Sequence, residues 1–302
     1  MFQIITDSCC DLGFEGCQAL GVRMIPFYVS PDGIENYLKE EQELPVRRLY
    51  EMMVEHPDQY PQTSLPSLDD YGTLFTEYAR LDIPVLCLCF TSKMSGSYNS
   101  ACNAKAIVQE EYPGASITVV DSLCATVTQA LMLQQAVQMR DAGLTVADTA
   151  VRIRQLSRSA RIFFTIGNMD YLIHGGRIGK AAGHAVNRMG LKPLILHVDG
   201  EVDFGGLAMG RLGSMKKVVA QAVSFLKNKA EFAAEQFEFM IGYGYDESEA
   251  QQLRQLLQTE LWHAFQLKPN LPALQIGATI AVHTGPFALG VGILPKWQAL
   301  QA

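Results

Sequence analysis

Residues 83–101 read IPVLCLCFTSKMSGSYNSA, and this stretch decides the fold of the chain. Its first part, residues 83–90, is apolar and uncharged, which is typical of a strand buried on both faces of a parallel sheet. Hydroxyl and glycine residues follow, and we expect a helix to begin near Ser97. The free N–H groups of that helix would face the strand tip, where open α/β sheets usually bind ligands. We therefore predict an anion, a carboxylate or a phosphate, at residues 92–97; simple helix capping by Ser95 and Ser97 is the alternative.

The composition of the 302-residue chain narrows the class of protein. Apolar residues make up 48% and charged residues 18%, which fits large buried interiors. A net charge of −7 argues against a nucleic-acid partner, because nucleic acid calls for a basic surface. No apolar run reaches the roughly 18 residues that a membrane span needs, and the start of the chain lacks the pattern of a signal peptide. We expect a cytoplasmic protein without stable membrane insertion. The seven cysteines and six histidines show no metal-ligand spacing, so no metal site is predicted.

Strand and helix patterns alternate through the first half. Strands are expected at residues 2–5, 22–29, 83–90 and 116–120, and helices at 11–20, 46–54, 68–80, 97–111, 124–140 and 146–158. Prolines at 61 and 66 are expected to keep the segment between them irregular. The alternation predicts a mostly parallel sheet flanked by helices. Parallel strands would bring the polar strand ends at residues 6–8, 91–92 and 121–122 together at one edge of the sheet. These residues would then line a ligand cleft or cap the helices that follow.

The second half changes character near residue 160, so we expect domains at 1–160 and 161–302. A strand at 161–166 precedes a hairpin of 191–198 and 201–207 around the turn Asp199-Gly200. Further elements are a strand at 237–243 between helices at 215–227 and 247–265, and a last strand at 273–282. The fold class is therefore α/β, with a mixed α/β second domain.

Three polar features of the second half are candidates for a functional role. The segment 175–180 is not a phosphate loop, because its glycines are too close and Lys180 precedes alanine. Arg177, flanked by glycines, suits an anion or a partner surface, or is an ordinary solvated arginine. His283, expected at the end of the last strand, can donate to an anion, act as a general base or be structural. Paired with Ser95, it gives the alternative function of a serine hydrolase for acyl esters or acyl phosphates, although no G-x-S-x-G elbow is present.

Short phrases along nearly the whole chain carry a family resemblance. They are residues 6–8 (TDS) with 11–12 (DL), 63–67 (TSLPS), 92–100 (SKMSGSYNS), 120–122 (VDS), 171–172 (YL), 175–178 (GGRI), 192–193 (KP), 199–200 (DG) and 283–286 (HTGP). In this order and spacing they resemble the DegV family, which includes the fatty-acid-binding subunits of bacterial fatty acid kinase.

The resemblance implies two α/β domains with a lipid tunnel between them. It assigns the carboxylate of the lipid to Thr63, Ser64, Ser95, Gly96, His283 and Thr284. Within that set Thr63 and Ser95 would contact the carboxylate, with His283 beside them. Arg177 would stand near the tunnel mouth, where the kinase subunit docks. The chain would carry no catalytic residue and no cofactor, only a long-chain fatty acid such as palmitate, stearate or oleate. The ATP-binding kinase subunit would form the acyl phosphate for phospholipid synthesis.

The sequence departs from the family pattern at three positions. Leu65 stands where the family usually has Gln. Gly179 stands where a Ser commonly follows the Arg-Ile pair, and Phe287 stands where a Gly commonly follows Gly-Pro. Leu65 and Phe287 are expected to add apolar bulk near the head-group site and so to affect acyl specificity. Another carboxylated apolar molecule, such as a retinoid or a sterol acid, is the third alternative.

Overall fold

The computed structural model describes residues 2–177, 190–228 and 231–301. Its strands are β1 (Gln3–Asp7), β2 (Val22–Ile25), β3 (Tyr28–Ser30), β4 (Leu38–Lys39), β5 (Gln62–Ser64), β6 (Val85–Cys89), β7 (Ile117–Asp121), β8 (Arg161–Thr165), β9 (Leu191–Val198), β10 (Glu201–Met209), β11 (Phe237–Tyr243), β12 (Ala273–Gln275) and β13 (Leu289–Pro295). Its described α-helices are α1 (Gly13–Ala19), α2 (Val46–Glu55), α3 (Leu68–Arg80), α4 (Ser97–Glu111), α5 (Thr126–Asp141), α6 (Val146–Ser157), α7 (Asp170–His174), α8 (Gly210–Asn228), α9 (Glu247–Phe265) and α10 (Ala278–Thr284).

A four-stranded parallel sheet in the order β2-β1-β6-β7 forms the first layer, as predicted. Every residue of β6 is buried, because successive side chains enter different cores. Leu86 and Leu88 join the core that contains α5, whereas Cys87 and Cys89 pack with residues of α3 and α4. The apolar run that opened the sequence analysis is thus a strand covered on both faces.

A six-stranded mixed sheet in the order β10-β9-β8-β13-β11-β12 forms the second layer. Only its β11–β12 pair is parallel. The predicted hairpin is confirmed: Val198 pairs with Glu201, and Asp199 and Gly200 both adopt positive φ. One face of the sheet packs on α8 and α9, and the other faces α5. The mixed α/β fold class is confirmed, while the domain boundary at residue 160 stays a prediction.

Helix α5 connects the two sheets, since it contacts β1 of the first and β11 and β13 of the second. It is buried around most of its circumference, so its polar side chains need internal partners. The Gln129 amide donates to Asp7 Oδ1 over 2.9 Å, and the backbone N–H of Trp297 donates to Gln135 Oε1 over 2.8 Å. These bonds fix the helix between the layers.

A small sheet, β4-β3-β5, packs with α2 and α10 beside the main layers. Buried carboxylates hold the start of α10: Asp11 accepts the N–H of Gly277 over 3.0 Å, and Glu40 accepts the N–H and hydroxyl of Thr279 over 3.2 and 2.6 Å. Desolvation raises the pKa of Glu40 to about 7. Residues far apart in the chain therefore position α10.

Three predictions of local structure are wrong. Residues 22–29 form two strands in different sheets, because Pro26 interrupts the run. The segment between Pro61 and Pro66 contains β5, which pairs antiparallel with β3; the prolines flank this strand and remove none of its donors. Residues 273–282 divide into β12 and α10, and β13 was not predicted. Within the described ranges, no helix is long and apolar enough to cross a bilayer.

Candidate functional site

A cavity of about 310 Å³ lies between the two sheets, within the size range of small-molecule sites. Both halves of the chain contribute to its wall. The large apolar lining residues are Phe27, Leu65, Phe90, Met94, Val127, Ile162, Phe164, Leu172, Val202, Ile276 and Ile280. A wall of this composition favours an apolar guest.

Two glycines on paired strands set part of this wall. Gly242 of β11 lies opposite Gly290 of β13, and both line the cavity. A Cβ atom at Gly242 would lie 3.1 Å from Val127, and one at Gly290 would lie 2.4 Å from Cβ of Phe164. A side chain at Gly290 would therefore clash with Phe164 of β8, and one at Gly242 would crowd Val127 of α5.

Thr63 and His283 form the central polar contact of the cavity. Thr63 Oγ1 lies 3.0 Å from His283 Nε2, although 220 residues separate them. Strand β5 carries Thr63, and the last turn of α10 carries His283, so the predicted strand-end position of this histidine is wrong. On the other side of the ring, a Cβ at Gly175 would lie 2.2 Å from Nδ1, so glycine is needed there. Nδ1 has no hydrogen-bond partner in the described part of the chain.

His283 is neutral at physiological pH. Burial, helped by the nearby charge of Arg177, lowers its pKa to about 3. A neutral imidazole carries one proton. When that proton is on Nε2, His283 donates to Thr63 Oγ1, and the Thr63 hydroxyl is then free to donate to a guest.

The other predicted head-group residues line the same cavity with different capacities to donate. Ser95 Oγ accepts the N–H of Ser97 over 3.2 Å, so its own proton is available. Gly96 lets Leu65 approach, since a Cβ there would lie 3.2 Å from the Leu65 side chain. The Thr284 hydroxyl instead donates to the Ile280 carbonyl over 3.0 Å and is used within α10. Ser64 lies at the exposed rim.

The wider anion site at residues 92–97 stays a prediction, and the two ends of this segment have partners within the protein. Ser92 donates its N–H to Asp121 Oδ1 over 3.1 Å, and the Ser97 hydroxyl bonds Tyr71 over 2.6 Å. A polar residue at the end of β1 also bonds a neighbouring loop: Asp7 Oδ2 accepts the N–H of Phe90 over 2.6 Å. These groups hold loops and do not line the cavity.

Arg177 also lines the cavity and is exposed. Its guanidinium donates to the carbonyls of Gly175 and Met94, which joins the loop after α7 to the loop after β6. The rest of the segment 175–180, including Gly179 and Lys180, lies outside the described residues. The prediction for Gly179 is therefore not addressed.

The nucleophile–base pair of the hydrolase alternative finds no support in the geometry. His283 Nε2 is hydrogen-bonded to Thr63 and not to Ser95, and no carboxylate of the described chain orients Nδ1. A base with a pKa near 3 is also poorly matched to neutral pH. Among the described residues, no group of three or more His, Cys, Asp or Glu side chains is arranged to hold a metal ion.

The observed cavity lining differs from the predicted one in two ways. Phe287 is absent from the cavity wall; it packs on Gly167 after the turn at Gly285, whose φ is 78°. His197 and Thr279 do line the cavity but were not predicted as site residues. A polar residue inside an apolar strand was the available signal for His197.

Fold and site together define a two-sheet α/β protein with a mainly apolar cavity, which has hydroxyl and imidazole groups on its wall and the exposed Arg177 beside them. The chain belongs to the DegV family: the family model described as "Uncharacterised protein, DegV family" matches residues 1–296.

Solved structures and curated relatives agree with this assignment. A stearic acid-binding protein from Eubacterium ventriosum is 38% identical, with a TM-score of 0.91 and 99% of each chain covered. A DegV family protein from Thermus thermophilus, described by its fatty acid binding, is 25% identical, with a TM-score of 0.81 and coverage of 97% of this chain and 99% of that one. A DegV domain-containing protein of Streptococcus pyogenes serotype M1 is 28% identical over 295 residues, 97% of this chain and 98% of that protein.

Proposed function

We propose that this chain binds one long-chain fatty acid in the cavity and presents its carboxylate to a separate ATP-dependent kinase subunit. The observation that carries the proposal is the Thr63–His283 contact at 3.0 Å on the wall of a mainly apolar cavity. The similarity to a stearic acid-binding protein supports it. Palmitate, stearate and oleate are the candidate ligands.

The energetics of the cavity fit a fatty acid. Burying a palmitoyl-length tail contributes on the order of 10 kcal/mol gross, at about 0.8 kcal/mol per methylene. Burying a carboxylate without partners would oppose binding strongly. The hydroxyls of Thr63 and Ser95 offset that penalty by donating to the carboxylate oxygens.

Uncharged donors also suit a substrate that must still react. Two hydroxyls hold the carboxylate without the bidentate clamp of an arginine, which leaves an oxygen lone pair free to attack a phosphoryl group. Arg177, exposed at the cavity, is the residue we assign to docking of the kinase. Phosphoryl transfer would occur on the partner, so the chain itself acts as a cytoplasmic carrier of substrate and acyl phosphate.

The direct test is extraction of the purified protein with organic solvent, followed by mass spectrometry. We expect close to one fatty acid per chain, and uptake of palmitate or oleate after lipid removal. Recovery of none, together with no uptake, would contradict the proposal. Competition by a retinoid or sterol acid against labelled palmitate tests the alternative ligand. Turnover of a p-nitrophenyl ester, lost in Ser95→Ala, would instead identify a hydrolase.

A further inference from the structure

His197 faces the cavity from β9, the second strand of the six-stranded sheet. It pairs with Ile162 of β8 and Val202 of β10, and residues directly opposite on adjacent strands point to the same face. All three line the cavity. Ile162 lies at the amino end of β8, while the carboxyl end of β8 leads through α7 to Gly175, which touches His283. This arrangement sets His197 apart from the contact between Thr63 and His283.

The His197 ring is buried without hydrogen bonds. The residue is 1% exposed, and within the described ranges neither Nδ1 nor Nε2 has a partner. Buried polar groups in native proteins are nearly always paired, so an unpaired ring on a cavity wall points to a ligand. Burial, together with the charge of Arg161, lowers the pKa of His197 to about 4, so the ring is neutral at physiological pH. A neutral ring has one donor nitrogen and one acceptor nitrogen, and a carboxylate can pair only with the donor.

We propose that His197 is a second polar contact in this cavity and that its ligand is a long-chain fatty acid with a hydroxyl group on the chain. A hydroxyl both donates and accepts, so it pairs with a ring nitrogen in either tautomer. A purely hydrocarbon tail leaves both nitrogens unpaired. The inference rests on the proposed function, since it places a fatty-acid tail against His197.

Thr126 offers a second hydroxyl on the same wall. It is 8% exposed and lines the cavity at the start of α5. Its Oγ1 accepts the N–H of Val127, so the Thr126 proton is available for a guest. His197 and Thr126 are thus lining polar groups outside the predicted head-group set, and both suit an oxygen substituent on the tail.

The test compares stearate with a series of hydroxystearates, the hydroxyl moved along the chain, on the delipidated full-length protein by calorimetry. We expect one positional isomer to bind roughly 5- to 30-fold more tightly than stearate. His197→Phe, which keeps a ring of similar size, is expected to remove that preference and to leave stearate binding equal or tighter. His197→Asn keeps a donor and an acceptor and is expected to retain part of it. His263→Phe, on the exposed side of α9, is the matched control and should change nothing.

The outcomes separate the role of His197 from the proposed function. Tight stearate binding with no preferred isomer in the unmodified protein overturns the role of His197 and leaves the proposed function intact. A preference that persists in His197→Phe overturns it as well. Binding of neither stearate nor any hydroxystearate contradicts the proposed function itself. If the variants fail to fold, a crystal structure with the preferred isomer decides: the hydroxyl must lie within hydrogen-bond distance of the His197 ring.

Discussion

Thr63→Val is the most informative single substitution, because valine keeps the shape and strand preference of threonine and removes only the hydroxyl. In the proposed complex that hydroxyl accepts from His283 Nε2, 3.0 Å away, and donates to the carboxylate. A neutral hydrogen bond contributes about 1 kcal/mol and a hydrogen bond to a charged group about 1.5–3 kcal/mol. Both bonds use Thr63 Oγ1, so their contributions are not simply added. We therefore expect a loss of about 2–3 kcal/mol, which corresponds to roughly a 30- to 140-fold weaker affinity for palmitate.

Calorimetric titration of delipidated protein with palmitate measures this loss, and urea unfolding checks that the fold persists. Thr118→Val in β7 is the matched control, since it makes the same change in a strand away from the cavity. Affinity of Thr63→Val within twofold of the unmodified protein would refute the placement of the carboxylate at Thr63.

Four further substitutions test other parts of the structure. Ser95→Ala should weaken palmitate binding by about 1–3 kcal/mol through a lost donor, and an unchanged dissociation constant would be evidence against it. Arg177→Ala should leave lipid affinity within a few fold and slow acyl phosphate formation with the kinase; the opposite pattern would contradict its docking role. Gly175→Ala places a methyl group 2.2 Å from His283 Nδ1, so it should lower both palmitate affinity and the melting temperature. For Glu40, desolvation raises the pKa from 4.5 to about 7, so the folded state holds a proton that the unfolded chain releases between these pH values. The free energy of unfolding should then fall with rising pH across this window by on the order of 3 kcal/mol, and Glu40→Gln should flatten that slope in urea unfolding at pH 5 and pH 8.

Sequence patterns predicted those elements of the fold that are specified by residues close together in the chain. The buried strand β6, the start of α4 at Ser97 and the Asp199-Gly200 hairpin all follow from apolar runs, hydroxyl residues and turn residues within a few positions. Ser67 caps α3 and bonds Asp70, three positions further along the chain. Elements of this kind are specified by neighbours in the chain.

Prediction failed where distant partners decide the structure. Apolar residues 273–282 fit a strand as well as a buried helix, and the carboxylates of Asp11 and Glu40 anchor α10 there. Thr63 and His283 were predicted together only from the family resemblance, because no local pattern relates residues 220 positions apart. For His197 the local signal was a polar residue inside an apolar strand, and only strand pairing showed which face of the sheet it occupies.

The paired glycines Gly242 and Gly290 have a consequence for how such a protein would change its preferred guest. In this part of the wall, the room for a guest comes from main chain that carries no side chain. One added methyl at either position would reach Val127 or Phe164 and remove room from the compartment. Tail-length selection would then depend on single-carbon changes in two strands, and apolar content along the chain would reveal nothing about it.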